Sequence, residues 1–196
     1  MIGIFPSTSM PDRDWWSALW PDPEGVLGLI GVRTGMSVLD LCCGDGYFTA
    51  PLARIAGGRV YALDLDPAMI EQARAEVEGQ GATDIEWICA DAGEIASRIA
   101  EKLDYVLIAN TFHGVPDQLR LSRAVAEVVK AGGSFGIVNW HELQRENTTV
   151  LGVPRGPRTE MRMSPKATQN AVEPSGLRLS RVIELPPYHY AVIFSA

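Results

Sequence analysis

The sequence is poor in cysteine, histidine and basic residues, and it has no long apolar run. Its three cysteines are the adjacent pair Cys42 and Cys43 and the distant Cys89. Neighbouring cysteines bridge only with strain, so the trio makes no disulfide framework, and its spacing matches no metal site. No metal ion is expected. Lys and Arg number 17 against 24 Asp and Glu, a formal net charge of −7. Binding nucleic acid needs a clustered basic surface to neutralise phosphates. The local cluster here, Arg155, Arg158 and Arg162, is interrupted by Glu160, so no nucleic-acid partner is expected. No stretch approaches the ~20 apolar residues of a membrane helix. Met1–Met10 lacks the charged start and apolar core of a secretory signal. The expectation is a cytoplasmic protein with no membrane partner.

What is present is an ordinary globular composition, 46% hydrophobic and 21% charged. The length suits one domain with a proper core. Residues 1–34 read as an N-terminal arm rich in aromatics, with Trp15, Trp16 and Trp20, and a short helix over 24–30. Residues 35–196 read as the main domain. Short apolar runs at 37–41, 59–63, 85–89, 105–109 and 135–139 predict five buried strands. Helical segments over 47–56, 66–78, 92–100 and 116–130 separate them. Asp66-Pro67 and Ser164-Pro165 are helix starts, and Gly132-Gly133 is expected to end the 116–130 helix. Residues 152–162, rich in Gly, Pro and Arg, are expected to form a loop. Two last strands, 179–185 and 188–194, are joined by Pro186-Pro187, too short a link for a parallel crossover. The fold class is therefore α/β: a seven-stranded, mostly parallel sheet with helices on both faces and a C-terminal antiparallel hairpin.

The chemistry concentrates at strand ends. In Val38-Leu39-Asp40-Leu41-Cys42-Cys43-Gly44-Asp45-Gly46-Tyr47-Phe48-Thr49 a strand runs into a glycine turn and then a helix. Gly44 and Gly46 let the backbone approach a ligand that a Cβ would repel. Asp40 sits at the carboxyl edge, where ligands bind in such sheets. Asp64 ends the next strand, 20 residues after Gly44, and is placed to accept hydrogen bonds from ribose hydroxyls. Asp91 follows the third strand. Three acids at three successive strand ends are far more specific than one glycine motif.

These stretches resemble the motifs of the class I S-adenosylmethionine (SAM)-dependent methyltransferases. Residues 38–49 are similar to their first motif, VLDLGCGxGxxT; 61–69 resemble the second; 88–92 resemble the adenine-binding segment. Among subfamilies the small-molecule type of ubiquinone and menaquinone biosynthesis is nearest. The resemblance implies SAM as cofactor and methyl transfer to a small-molecule acceptor, with release of S-adenosylhomocysteine. It implies Asp40, Gly44 and Gly46 beside the methionine part and Asn110 under its amine. It implies Asp64 on the ribose, Leu65 against the adenine, and Asp91 and Ala92 around the adenine amino group. Cys42 stands where the family's first glycine is usual, and narrows the space beside the ligand. The rival nicotinamide fingerprint GxGxxG fails at its third glycine, which is Thr49 here. A non-catalytic SAM-binding or regulatory protein on the same fold is the alternative function.

Further residues carry two readings each. His113 follows the fourth strand and is either a general base or a packed loop histidine. Trp140 and His141 end the fifth strand and either line the acceptor pocket or are a packed aromatic and an exposed histidine. Trp15, Trp16 and Trp20 form either an aromatic lid over the acceptor or a packed helix or homodimer contact. Arg158 and Arg162 either clamp an anionic group of the acceptor or belong to a solvated loop. Alternation puts Tyr188 and Tyr190 on one face of the last strand and His189 on the other.

Overall fold

The computed structural model describes residues 13–82 and 84–196, so residues 1–12 of the expected arm lie outside the described residues. Helices α1 (Arg13–Leu19) and α2 (Pro23–Ile30) come first. The Asp22 carboxylate accepts the Gly25 N–H at 2.8 Å and Pro23 takes the first helical position, which fixes where α2 starts. Strands and helices then alternate: β1 (Val38–Leu41), α3 (Thr49–Ala56), β2 (Val60–Asp64), α4 (Pro67–Gly79), β3 (Ile85–Cys89), α5 (Ile95–Arg98), β4 (Leu103–Ala109), α6 (Gln118–Val128) and β5 (Val129–Trp140). A small hairpin, β6 (Thr149–Val150) and β7 (Val153–Pro154), precedes α7 (Pro165–Val172), β8 (Arg178–Leu185) and β9 (His189–Ser195).

The main sheet has seven strands in the order β3-β2-β1-β4-β5-β9-β8. The first five are parallel, and β9 runs antiparallel to both β5 and β8. The expected fold class is what the chain forms. The strand order reverses between β1 and β4, which opens a crevice at the carboxyl ends of the central strands.

Burial on both faces explains the unbroken apolar runs of the central strands. Val106 and Ile108 of β4 join Leu39, Leu41, Phe135 and Ile137 in one cluster, covered by residues of α5, α6 and α7. Tyr105 and Leu107 join Val38, Val60, Val138 and Trp140 in a second, covered by α1, α2 and α3. Trp15 and Trp16 of α1 are 5% and 8% exposed, and Trp20 is 2% exposed. These tryptophans pack on their own domain. Among the described residues no helix is long and apolar enough to cross a membrane.

Three local expectations are corrected. The helix over 116–130 stops at Val128, and β5 starts at once at Val129. Gly132-Gly133 lie inside that strand, in an irregularity where Leu103 pairs with Val129 but Tyr105 pairs with Ser134. Gly132 takes φ 78 there, so the glycines serve a bulge and not a helix end. The expected loop over 152–162 contains strand β7, which the tight turn at Leu151 (φ 51) and Gly152 (φ 75) lets pair with β6. Tyr188 precedes β9, so strand alternation does not govern it. It stacks on Trp140, the ring that His189 also touches, while Tyr190 faces the other side and packs on His141.

Candidate active site

A cleft of about 1270 Å³ occupies the crevice at the carboxyl ends of β1, β2, β3, β4 and β5. Pockets for one small ligand run to ~300–1,000 Å³, so this cleft has room for two ligands side by side. Its floor is Asp40, 2% exposed, whose carboxylate accepts the Thr49 hydroxyl at 2.6 Å. Burial raises the Asp40 pKa to about 7; the Thr49 bond opposes this, and the charges of Asp64 and Asp45 add to it.

The chain then turns through Cys42 at φ 62, a left-handed backbone that costs a non-glycine residue about 1–2 kcal/mol. Cys42 keeps the turn a glycine would make. Asn110, at the end of β4 and across the same cleft, takes φ 60. Strained non-glycine residues cluster where a site requires a particular geometry. The thiols of Cys42 and Cys43 are pushed up by burial and by neighbouring aspartates, so neither is a thiolate near neutral pH.

The Asp64 carboxylate ties the turn to β2: it accepts the Gly44 N–H at 2.9 Å and the Asp66 N–H at 3.0 Å. Asp66 caps α4 by accepting from Ala68. Asp91 accepts the Gly93 N–H at 2.8 Å. Thus each strand-end acid shapes its own loop while presenting a carboxylate to the cleft. Asp40, Cys42, Gly44, Asp64, Leu65, Asp91, Ala92 and Asn110 all line it.

At the other end stand His113, Trp15, Trp16 and Trp140. His113 sits in the short turn after β4, with its Nδ1 buried and unpartnered. Burial lowers its pKa; Asn139 raises it, and the nearby Arg162 charge lowers it further. The imidazole is therefore neutral near pH 7 and able to take a proton. Asn110 Oδ1 is likewise buried without a partner.

Four expected residues lie elsewhere. Gly46 (φ 81) faces α4, where a Cβ would come within 3.0 Å of the Ala73 backbone, so its need for glycine is helix packing. Trp20 packs between Phe48 and His189 behind the cleft. His141 points outward and meets Glu184 at 2.8 Å. Arg162 is buried under the 155–158 loop, donating to the carbonyls of Pro157 and Arg155 and to the Thr148 hydroxyl. Arg158 does line the cleft, paired loosely with Glu160. Sequence reasoning missed Arg145 and Arg155, which line the same end. The arginine cluster was visible, but which members turn inward depends on contacts made by Trp15 and Trp140.

A methyltransferase-domain family model matches residues 38–133. The demethylmenaquinone methyltransferase of Bacillus mycoides (strain KBAB4) is 33% identical over 130 residues, covering 65% of this chain and 52% of the relative. That of Lactococcus lactis subsp. lactis is 33% identical over 127 residues, covering 64% and 48%. The chain spans about half the length of the curated relatives it matches. A SAM-dependent methyltransferase from Aquifex aeolicus superposes with a TM-score of 0.79 at 26% identity over 93% of both chains. One from Clostridium acetobutylicum shares the fold, with a TM-score of 0.67 at 14% identity over 94% of this chain and 92% of that one. Motifs, strand order and relatives agree on the class I SAM-dependent methyltransferases: residues 38–133 belong to the methyltransferase-domain family, and the chain as a whole takes the fold of enzymes whose cofactor is S-adenosylmethionine.

Proposed function

We propose that the protein transfers the methyl group of SAM to a small-molecule acceptor and releases S-adenosylhomocysteine. The observation that carries this is the placement of three acids, Asp40, Asp64 and Asp91, on one side of a cleft whose other side is aromatic. The acidic side suits a cofactor that is cationic at its sulfonium and its amine. SAM supplies an electrophilic methyl group on that sulfonium.

The remaining work falls to the chain. Asp40 and Asn110 would hold the amino-acid end, Asp64 the ribose, and Asp91 with Leu65 and Ala92 the adenine. The arm, through Trp15 and Trp16, and Trp140 exclude water from the acceptor side. His113, kept neutral by burial, takes the acceptor's proton where the acceptor must lose one. The net charge of −7 supports a small molecule over a nucleic acid. The three free cysteines suit a reducing compartment, so the proposal includes a cytoplasmic location.

The test is label transfer from SAM carrying a radioactive methyl, incubated with a cell extract split by size. The expected result is label in the small-molecule fraction. Label confined to precipitable protein or nucleic acid overturns the acceptor class.

A further inference from the structure

The cleft is polarised. Asp40, Asp64 and Asp91 line one end, whereas Arg145, Arg155 and Arg158 line the other. In a chain of net charge −7 such a basic end needs a cause. Among the described residues Arg145 and Arg155 form no ion pair, and only Arg158 has an acidic partner, Glu160 at 3.5 Å. The Arg155 Nε is buried with no hydrogen-bond partner. Beneath them Arg162, 7% exposed, also keeps a buried unpartnered nitrogen, Nη1. Burial lowers its pKa and the Arg145 charge lowers it further, with Glu146 only partly offsetting them. Cations gathered along one wall of a cleft raise the local concentration of anions there.

The loop that carries these arginines is anchored on packed tryptophans. Trp15 and Trp16 stack with centroids 4.6 Å apart, and Trp140 lies 6.5 Å from Trp15. The Arg155 guanidinium lies over the Trp15 ring at 5.6 Å. The loop presses directly on Trp140: a Cβ on Gly156 would fall 2.8 Å from the indole. The Gly156 carbonyl accepts from Arg145 Nε at 3.1 Å, which leaves that guanidinium's terminal nitrogens for a ligand. All four arginines lie beyond the 38–133 segment matched by the family model, so they belong to this chain's acceptor side and not to the shared cofactor half.

We propose that the methyl acceptor carries an oxyanion, carboxylate or phosphate, held by Arg155 and Arg145 at the arginine end of the cleft. A guanidinium fork matches either oxyanion in a bidentate way. Arg162 is a positioning residue: it holds the loop carbonyls that set where Arg155 points. The assignment rests on the methyl-transfer reading.

The test is calorimetric titration of the protein loaded with S-adenosylhomocysteine. The probes are matched sets: hydroxybenzoates, the corresponding benzamides, and the corresponding aryl phosphates. At least one acid or phosphate is expected to bind about tenfold or more tightly than its amide, the discrimination typical of a charge-assisted pair. The acid and phosphate arms show which oxyanion the site prefers. In Arg145→Met/Arg155→Met the preference should fall to about twofold while S-adenosylhomocysteine affinity holds, which also reports that the variant is folded; if it is not, the wild-type comparison alone decides. Amides binding as tightly as acids and phosphates, or no acid or phosphate binding at all, overturn the acceptor assignment. Failure of S-adenosylhomocysteine itself to bind overturns the methyl-transfer reading instead.

Discussion

Replacing Asp40 by asparagine removes a buried carboxyl with almost no change of shape. In the folded chain burial raises its pKa to about 7, opposed by the Thr49 bond and reinforced by Asp64 and Asp45. Unfolded, it ionises near the ordinary value of about 3.9. The folded state therefore holds the proton more tightly, and stability falls as pH rises from about 4 to about 7. The gap corresponds to about 4 kcal/mol once both states are ionised. The asparagine oxygen still accepts from Thr49, but its amide adds a buried donor, costing about 1–3 kcal/mol. Asp40→Asn should therefore be less stable than wild type by that amount near pH 3, where neither state is ionised, and more stable at pH 8 by about 1–3 kcal/mol. In a chain of this size 1 kcal/mol moves Tm by about 2–4 °C. Thermal melts without ligand, taken across this range, should show the two Tm curves crossing. A constant offset at every pH would mean that Asp40 is ionised throughout, and would refute the reasoning. On the same account SAM affinity of wild type rises with pH through about 7, because the cationic ligand favours the carboxylate, and Asp40→Asn loses both the affinity and its pH dependence.

Asp64→Asn leaves one of two backbone N–H donors, Gly44 or Asp66, facing an amide NH₂; a loss of about 1–3 kcal/mol of stability and weaker S-adenosylhomocysteine binding are expected, and unchanged melting and affinity would remove Asp64 from the turn and the site alike. Gly46→Ala places a methyl against the Ala73 backbone at a positive φ, so Tm should drop by about 4 °C or more although the cleft lining is untouched; a melt equal to wild type would show that α4 gives way freely. His113→Ala should lower kcat at saturating SAM without changing S-adenosylhomocysteine affinity. Wild-type kcat should be flat above the lowered imidazole pKa and fall below it as the ring protonates; full activity in the variant returns His113 to a packing role.

Much of the frame was legible because its signals are local. β3 spans the 85–89 run read from its residues, and Asp66-Pro67 and Ser164-Pro165 start helices as their cap chemistry dictates. The end of α6 was not legible. Lys130 to Gly133 read as a helix stop, yet pairing of β5 with β4 pulls them into a bulged strand, a tertiary preference with no local mark. In the site the strand-end acids were legible because strand ends and switch point follow from the pattern of runs. Gly46 was ambiguous in kind: a glycine required by a ligand and one required by Ala73 of α4 look identical in sequence. Among the arginines, Arg155 and Arg145 were passed over for Arg162, since side-chain direction in an irregular loop is set by packing. Trp140 both receives the Arg162 guanidinium at 5.0 Å and presses on Gly156.

The central claim is that the cleft at β1, β2 and β3 is a SAM site. Calorimetric titration of the purified protein with SAM, S-adenosylhomocysteine and NAD tests it most directly. The account predicts micromolar binding of the two sulfur ligands and none of NAD. Binding of NAD, or of neither sulfur ligand, would contradict it.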